Sequence, residues 1–329
     1  MKNSSNTFIE NTLRKRLLDI LYAQWRELGI PFHSSRRSAI IEVIDPEALL
    51  WCSLEFFQTD LRLREGVLSW FNAYSDSIVR SRIPCKRHDT NARAHLWNIL
   101  IAKNYSKEIL ETVYGSDTTN KFDDVTEFPY GLNSKDDFRD LVYSIHLTKQ
   151  NIDLYDKPGK PLKHPSAVLL RARNLLGNDA RHVLLVYLLV RQDGARLKEI
   201  ENYSKYTYRN LAETAAKWEA AGILHIDHGF CQLTVQAPWH SLLDDTLLEK
   251  PLTKNTLQNA KLIPWFDVFE ALISLLRSLE KAQSKGISPN SPAIDLLRNE
   301  AASVLVDCLR GNENESSSSI EYLLKALDV

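Results

Sequence analysis

Residues 177–235, "GNDARHVLLVYLLVRQDGARLKEIENYSKYTYRNLAETAAKWEAAGILHIDHGFCQLTV", decide how this chain folds. Four patterns follow one another in them. "ARHVLLVYLLV" is apolar on every side, the mark of a helix buried all round, and Asn178 stands where its N-cap belongs. "QDGAR" is a tight turn through Gly194. "LKEIENYS" is a short second helix that turns Leu197 and Ile200 inward. After a turn at Tyr203–Ser204, a third helix runs from about Lys205 to Ala221, with Gly222 as its left-handed stop. Tyr208, Leu211, Ala215 and Trp218 share the inward face of that helix. "ILHIDHGFCQLTV" then alternates apolar and polar residues around Asp227–His228–Gly229, which predicts a hairpin. Three helices and a hairpin in this order are the elements of a winged helix-turn-helix.

In that motif the third helix lies in the major groove of DNA with its first residues against base edges. Thr207, Arg209 and Asn210 have the chemistry for it: Arg pairs bidentately with guanine, Asn with adenine, and Thr serves either. Lys198, Lys205, Tyr206 and Lys217 are placed to hold phosphates and fix register. His228, at the wing tip, would reach the minor groove or the backbone. Charge speaks less clearly. Residues 165–235 carry nine Lys/Arg against seven Asp/Glu, a net of +2, and Glu213 lies one turn beyond Arg209, where it can pair with it. A second basic stretch, "RSRIPCKRHDTNAR", sets Arg80, Arg82, Lys86, Arg87 and Arg93 against Asp89 alone. It reads as a phosphate patch or as a solvated helix end. A winged helix can also dock a partner protein, so that reading stands beside double-stranded DNA.

Outward from this segment the chain is mainly helical. Its 329 residues are more than one core usually serves. Residues 1–115 form an expected helical N-terminal domain. It opens with an apolar stripe at Ile9, Leu13, Leu17, Leu21, Trp25 and Leu28, passes a short β-like "AIIEVI", and restarts as a helix at Asp45–Pro46. Residues 116–165, rich in Gly, Asp, Asn and Pro, read as an irregular connection. Residues 166–240 hold the winged helix-turn-helix, and 241–329 a helical C-terminal region with a flexible linker at 311–319. In "IPWFDVFEALISLLRSLEKAQ", Trp265, Val268, Phe269, Leu272, Leu275, Leu276 and Leu279 recur at three- and four-residue steps. That stripe packs either on its own domain or across a homodimer. A dimer is favoured because one winged helix with so little charge gains from two copies on a palindrome.

The remaining chemistry is mostly absence. The formal charge of −1 gives no global pull toward nucleic acid or anionic lipid. Cys52, Cys85, Cys231 and Cys308 are scattered and read as reduced thiols, which with no signal peptide at the N-terminus points to the cytoplasm. His225, His228 and Cys231, with His240 beyond, have a zinc-like look. A strand period of two nevertheless puts positions three apart on opposite faces, so no metal site is expected. No glycine-rich phosphate loop or nucleophile elbow is present, and neither an enzyme nor a cofactor is expected. No apolar run is long enough to span a membrane.

Three stretches, "DPEALLWCSLEFFQTDLRLREGVLSWF", "LLRARNLLGNDARHVLLVYLL" leading into the winged segment, and "IPWFDVFEALISLLRSL", occur here in an order that resembles a bacterial family. These are the winged helix-turn-helix regulators encoded beside abortive-infection-type nucleotidyltransferases, in toxin–antitoxin or phage-defence operons. The resemblance covers roughly residues 40–280, with the central block its specific part. It implies an autoregulating, DNA-binding repressor or antitoxin-like component, a nucleotidyltransferase-like partner protein, and no catalysis. It supplies no base-reading positions of its own. The 91–130 region and the Ser-rich tail depart from it.

Overall fold

A computed structural model describes residues 4–33, 41–83, 164–234, 259–288, 291–310 and 318–327, with isolated positions between 93 and 145 and at 239, 243 and 257. The described chain is mainly helical, with one small three-stranded antiparallel sheet. It forms two units. One comprises Met1–Leu49, Ser77–Arg82 and Gly159–Val329; the other comprises Leu50–Asp76 and Ile83–Pro158. This division cuts across the expected domain at 1–115, because the first helix and residues 77–82 belong with the central and C-terminal sequence.

In the first unit, α1 (Ser4–Glu27) buries Leu13, Leu17, Leu21 and Trp25 along its expected stripe. Gly29, at φ 96°, ends it, and the Ile30 N–H returns to the Trp25 carbonyl at 3.0 Å. Asp45 caps α2 (Pro46–Ser53), its Oδ1 accepting from the Glu47 and Ala48 amides at 3.1 and 3.2 Å. Of the β-like run, Ile41 to Val43 form a single parallel bridge at Glu42 and Lys261, and Ala39 and Ile40 lie outside the described residues.

The second unit holds α3 and its surroundings. Asp60 caps α3 (Leu61–Tyr74), accepting from the Leu63 amide at 2.9 Å, and Leu63, Val67, Leu68, Trp70 and Phe71 face inward. The connection at 116–165 lies almost wholly outside the described residues.

The centre of the first unit is α4 (Val168–Leu176) and α5 (Ala180–Val190), packed on each other. α5 is buried from Ala180 to Leu189 except for Arg181, as an all-apolar helix must be. Its cap is Asp179 rather than Asn178: the Asp179 carboxylate accepts from the Arg181 amide. Around it stand β1 (Ala195–Arg196), α6 (Leu197–Ser204), α7 (Tyr208–Ala220), β2 (Leu224–Asp227) and β3 (Phe230–Leu233), with strand order β1-β3-β2. β1 is absent from the sequence reading, since a two-residue strand is too short to show a period of two.

At the C-terminal end, α8 (Trp265–Ser284) packs against α1 and α9 (Pro292–Arg310). Trp265, Val268, Phe269, Leu272, Leu275, Leu276 and Leu279 are all buried within this one chain. The stripe is therefore covered within this one chain. α10 (Ser318–Leu327) returns to α1, where the Tyr322 hydroxyl donates to Asp19 at 2.8 Å. Ser319, expected inside a flexible linker, is part of this helix; its amide donates to Glu42 at 2.9 Å and its hydroxyl bonds the same carboxylate. No described helix is long and apolar enough to cross a membrane.

Candidate nucleic-acid interface

α6 and α7 are amphipathic and share a core. Leu197, Ile200 and Tyr203 from α6 meet Leu211, Ala215 and Trp218 from α7 over the apolar side of α5. Trp218 stacks on Trp239, ring centroids 5.9 Å apart and planes within 6°. The turn between the helices is Lys205–Tyr206–Thr207. Lys205 takes a left-handed conformation, φ 58°, and its N–H closes on the Glu201 carbonyl at 2.9 Å. Thr207 is the N-cap of α7, its hydroxyl oxygen accepting from the Asn210 amide at 3.4 Å. The third helix thus starts three residues later than the sequence periodicity indicates.

The hairpin is a two-residue turn. Asp227 pairs with Phe230, and the loop residues His228 and Gly229 both have positive φ, at 46° and 78°, the conformation of a type I′ turn. Close to that turn β3 abuts Gly194, where a Cβ would lie 2.6 Å from the Cys231 carbonyl oxygen. Only glycine admits that approach. β1 then pairs with β3 through Ala195 and Cys231.

Beneath the α6–α7 turn lies a buried ionic cluster. Arg82 is 3% exposed and reaches both carboxylates of the α2 start: it bonds Asp45, and its Nη1 donates to Glu47 Oε2 at 2.5 Å. Arg173 clasps Glu47 with two bonds of 2.6 and 2.7 Å and donates to the Ser77 carbonyl at 2.8 Å. The Val79 amide completes Glu47 at 2.7 Å. Arg173 Nε donates to His182 Nε2 at 3.0 Å. A guanidinium cannot accept a proton, so His182 is neutral, with its hydrogen on Nδ1. Burial, then the charges of Arg173 and Arg82, push the His182 pKa well down in agreement. Burial opposes the charge on Glu47, but Arg173 and Arg82 outweigh it and hold that carboxyl at about 2. Burial dominates at Asp45 and raises its pKa.

Against this geometry the expected contacts divide. Tyr206 is inside: it is 7% exposed, edge-on to His182 at 6.0 Å and under the Arg82 guanidinium at 5.6 Å. Burial pushes its phenol up to about 12. Tyr206 therefore does not reach a phosphate. Arg82 is withdrawn likewise, since its charge is met by Asp45 and Glu47. Arg93, 3% exposed, pairs with Glu55 at 3.4 Å and covers the Trp51 ring at 4.6 Å. Arg80 is exposed, while Lys86 and Arg87 lie outside the described residues. Of the five cations expected there, Arg82 and Arg93 are thus buried.

The rest of the expected set faces solvent on α6, α7 and the β2–β3 hairpin. Lys198 pairs with Glu201 at 2.5 Å, Lys205 with Asp267 at 2.7 Å, and Arg209 with Glu213 at 2.8 Å, as the i,i+4 spacing foretold. Such exposed pairs hold the side chains weakly and exchange readily for other partners. Asn210 and Lys217 are exposed, the Lys217 ammonium near enough to Asp179 and Glu213 to favour their charged forms, and His228 is 97% exposed at the hairpin tip.

Two residues join this face that sequence periodicity did not assign to it. Tyr208, inward by its spacing to Leu211, Ala215 and Trp218, is the first residue of α7 and 46% exposed, and its hydroxyl would lie 3.9 Å from a Cβ at Gly229. Tyr206 and Tyr208 have exchanged the places expected of them. Arg196, on the edge strand β1, is exposed without an ion pair among the described residues. Charge on the surface is balanced. Arg171 and Arg173 are buried, and the seven other cations of 165–235 face seven carboxylates.

The zinc-like residues do not converge: Cys231 is buried, where burial pushes its thiol up to about 11, while His225 and His228 are exposed and His240 lies outside the described residues. Among the described residues no cluster of His, Cys, Asp and Glu could hold a metal ion. Cys52, Cys231 and Cys308 are free thiols, all buried. Comparison with protein families, curated proteins and solved structures finds no match to this chain.

Proposed function

We propose that residues 178–234 are a winged helix-turn-helix that binds double-stranded DNA, with α7 as the recognition helix and the β2–β3 hairpin as the wing. The observation that carries this reading is the uncovered outer face of α7. Tyr208, Arg209, Asn210 and Lys217 stand exposed beside an exposed type I′ turn, while the inner face is sealed by Leu211, Ala215 and Trp218. A helix packed on one side and presented on the other, next to a wing, is the geometry that enters a major groove. In this reading Arg209 and Asn210 meet base edges, with Arg209 trading Glu213 for guanine, and Lys198, Lys205, Arg196 and Lys217 hold phosphates. The resemblance of the chain to operon regulators supports an autoregulating repressor or antitoxin-like component.

The charge balance favours a second reading. A face with no net positive charge gains little from counterion release, and Tyr208 and Phe230, 46% and 39% exposed, suit a protein surface. Here the winged helix docks a partner protein, a nucleotidyltransferase-like toxin being the one the resemblance suggests. A titration of the full chain against the duplex upstream of its own coding sequence, at a series of salt concentrations, separates the two. DNA binding gives an affinity that falls linearly on a log–log salt plot, with Lys217→Ala lowering the slope by about 1. The absence of any affinity above that for unrelated duplex, even at low salt, rules the DNA reading out and leaves the protein one.

A further inference from the structure

The α6–α7 turn is held by a residue far outside the helix-turn-helix sequence. Arg82 Nε donates to the carbonyl of Ser204, the last residue of α6, at 2.7 Å. Its guanidinium carbon lies over the rings of Tyr206 and Phe266, 5.6 and 5.9 Å from their centroids. Its two terminal nitrogens are held in turn by Asp45 and Glu47, and Glu47 is fixed by Arg173 and the Val79 amide. So the residues just before and after the left-handed Lys205 are both gripped by one side chain. From these contacts we infer that Arg82 is the positioning residue of the recognition helix, setting the path of the α6–α7 turn from beneath without touching DNA.

The residue type fits that task. An arginine presents donors in a rigid planar fork and stacks on aromatic faces, so it can serve Asp45, Glu47 and the Ser204 carbonyl while lying against Tyr206. A lysine keeps the charge, yet offers neither the fork nor the plane. Left-handed backbone at a non-glycine residue such as Lys205 persists only when its surroundings over-determine it. The Arg82 contacts on either side supply that constraint. The 77–82 segment, though Arg82 comes 122 positions before Ser204, is in this sense part of the helix-turn-helix.

Two measurements on the full chain test this. In hydrogen exchange, the wild-type amides of Lys205 and Tyr206 should be as protected as those of α5. Arg82→Lys should speed exchange at 205–211 about tenfold, with α5 and α8 unchanged. Fast exchange of the turn in the wild type overturns the inference without any variant. So does an Arg82→Lys protein whose turn exchanges as in the wild type, or whose three regions all speed up together.

The second measurement rests on the DNA reading and uses the upstream duplex. Arg82→Lys should weaken binding about tenfold and leave the salt slope as in the wild type, because a buried guanidinium displaces no counterion from DNA. A slope lowered by about 1 would make Arg82 a phosphate contact and overturn its assignment as a positioning residue. If the wild type binds no duplex, the DNA reading falls, while the exchange result still decides the role of Arg82 in the turn.

Discussion

The buried cluster under the turn and the outer face of α7 use the same residue types to opposite ends. Beneath the turn, Arg82 and Arg173 meet Asp45 and Glu47 with every charge desolvated, every partner fixed, and little freedom to rearrange. On the outer face, Lys198, Lys205 and Arg209 meet Glu201, Asp267 and Glu213 in water. A buried pair is costly to break because it leaves an uncompensated charge, whereas an exposed pair is worth little and can be traded. Arginine count alone therefore says nothing about binding. What matters is which carboxylate each guanidinium already has, and whether water can reach it.

The sharpest way to break the contrast is to remove the carboxylate both buried arginines share. Glu47→Ala should destabilise the protein by about 3–5 kcal/mol, read as a lower denaturant midpoint, since Arg82 and Arg173 are both left short of a partner. Acid should act through the same group. The Glu47 carboxyl is held at about 2 in the folded protein against 4.5 when unperturbed. Its contribution is therefore complete above pH 4.5 and disappears as the pH falls toward 2. Glu47→Gln should lack that part of the acid transition. An acid transition of unchanged size in Glu47→Gln would mean that Glu47 is not the linked group.

Apolar truncation beside the same turn comes next. Trp218, 7% exposed and stacked on Trp239, closes the α6–α7 core, so Trp218→Ala should cost about 3 kcal/mol in thermal or denaturant unfolding. A loss well under 1 kcal/mol would show that this core is not sealed as described. Gly194→Ala should cost about 2 kcal/mol, because the new Cβ meets the Cys231 carbonyl and the φ of 96° strains any L side chain. A neutral outcome there would mean that the hairpin moves away freely.

How much of this was legible in the sequence follows from distance along the chain. Signals carried by neighbouring residues came through: the all-apolar α5, the boundaries of α6, the Gly222 stop, the hairpin at His228–Gly229, and the shared core of Ile200, Leu211 and Trp218. Local signals fail where one residue sets a helix start. Nothing in the sequence marks a left-handed lysine, so the third helix reads as starting at Lys205; Tyr206 instead lies in the buried turn, and Tyr208, inward by spacing, stands exposed as the first residue of α7. β1 leaves no mark in the sequence, being two residues long and paired with Cys231 and Phe230 at long range. The burial of Arg82 was invisible for the same reason, since its partners Asp45, Glu47 and Ser204 are brought to it only by tertiary folding. An arginine in a basic stretch looks like a phosphate contact until its acceptors are known.

The smallest expected effect on stability belongs to the outer face, and it coincides with the largest expected effect on function. Arg209→Ala combined with Asn210→Ala removes two exposed side chains from α7 and should leave the melting midpoint where it is. The most direct test of the central claim, that this face reads DNA, is an anisotropy titration of that double variant and the wild type against the duplex upstream of the gene. The expected result is wild-type stability with affinity for that duplex lowered by at least about tenfold, toward the value for unrelated DNA. A double variant that binds the upstream duplex as tightly as the wild type would contradict the assignment of α7 as the recognition helix.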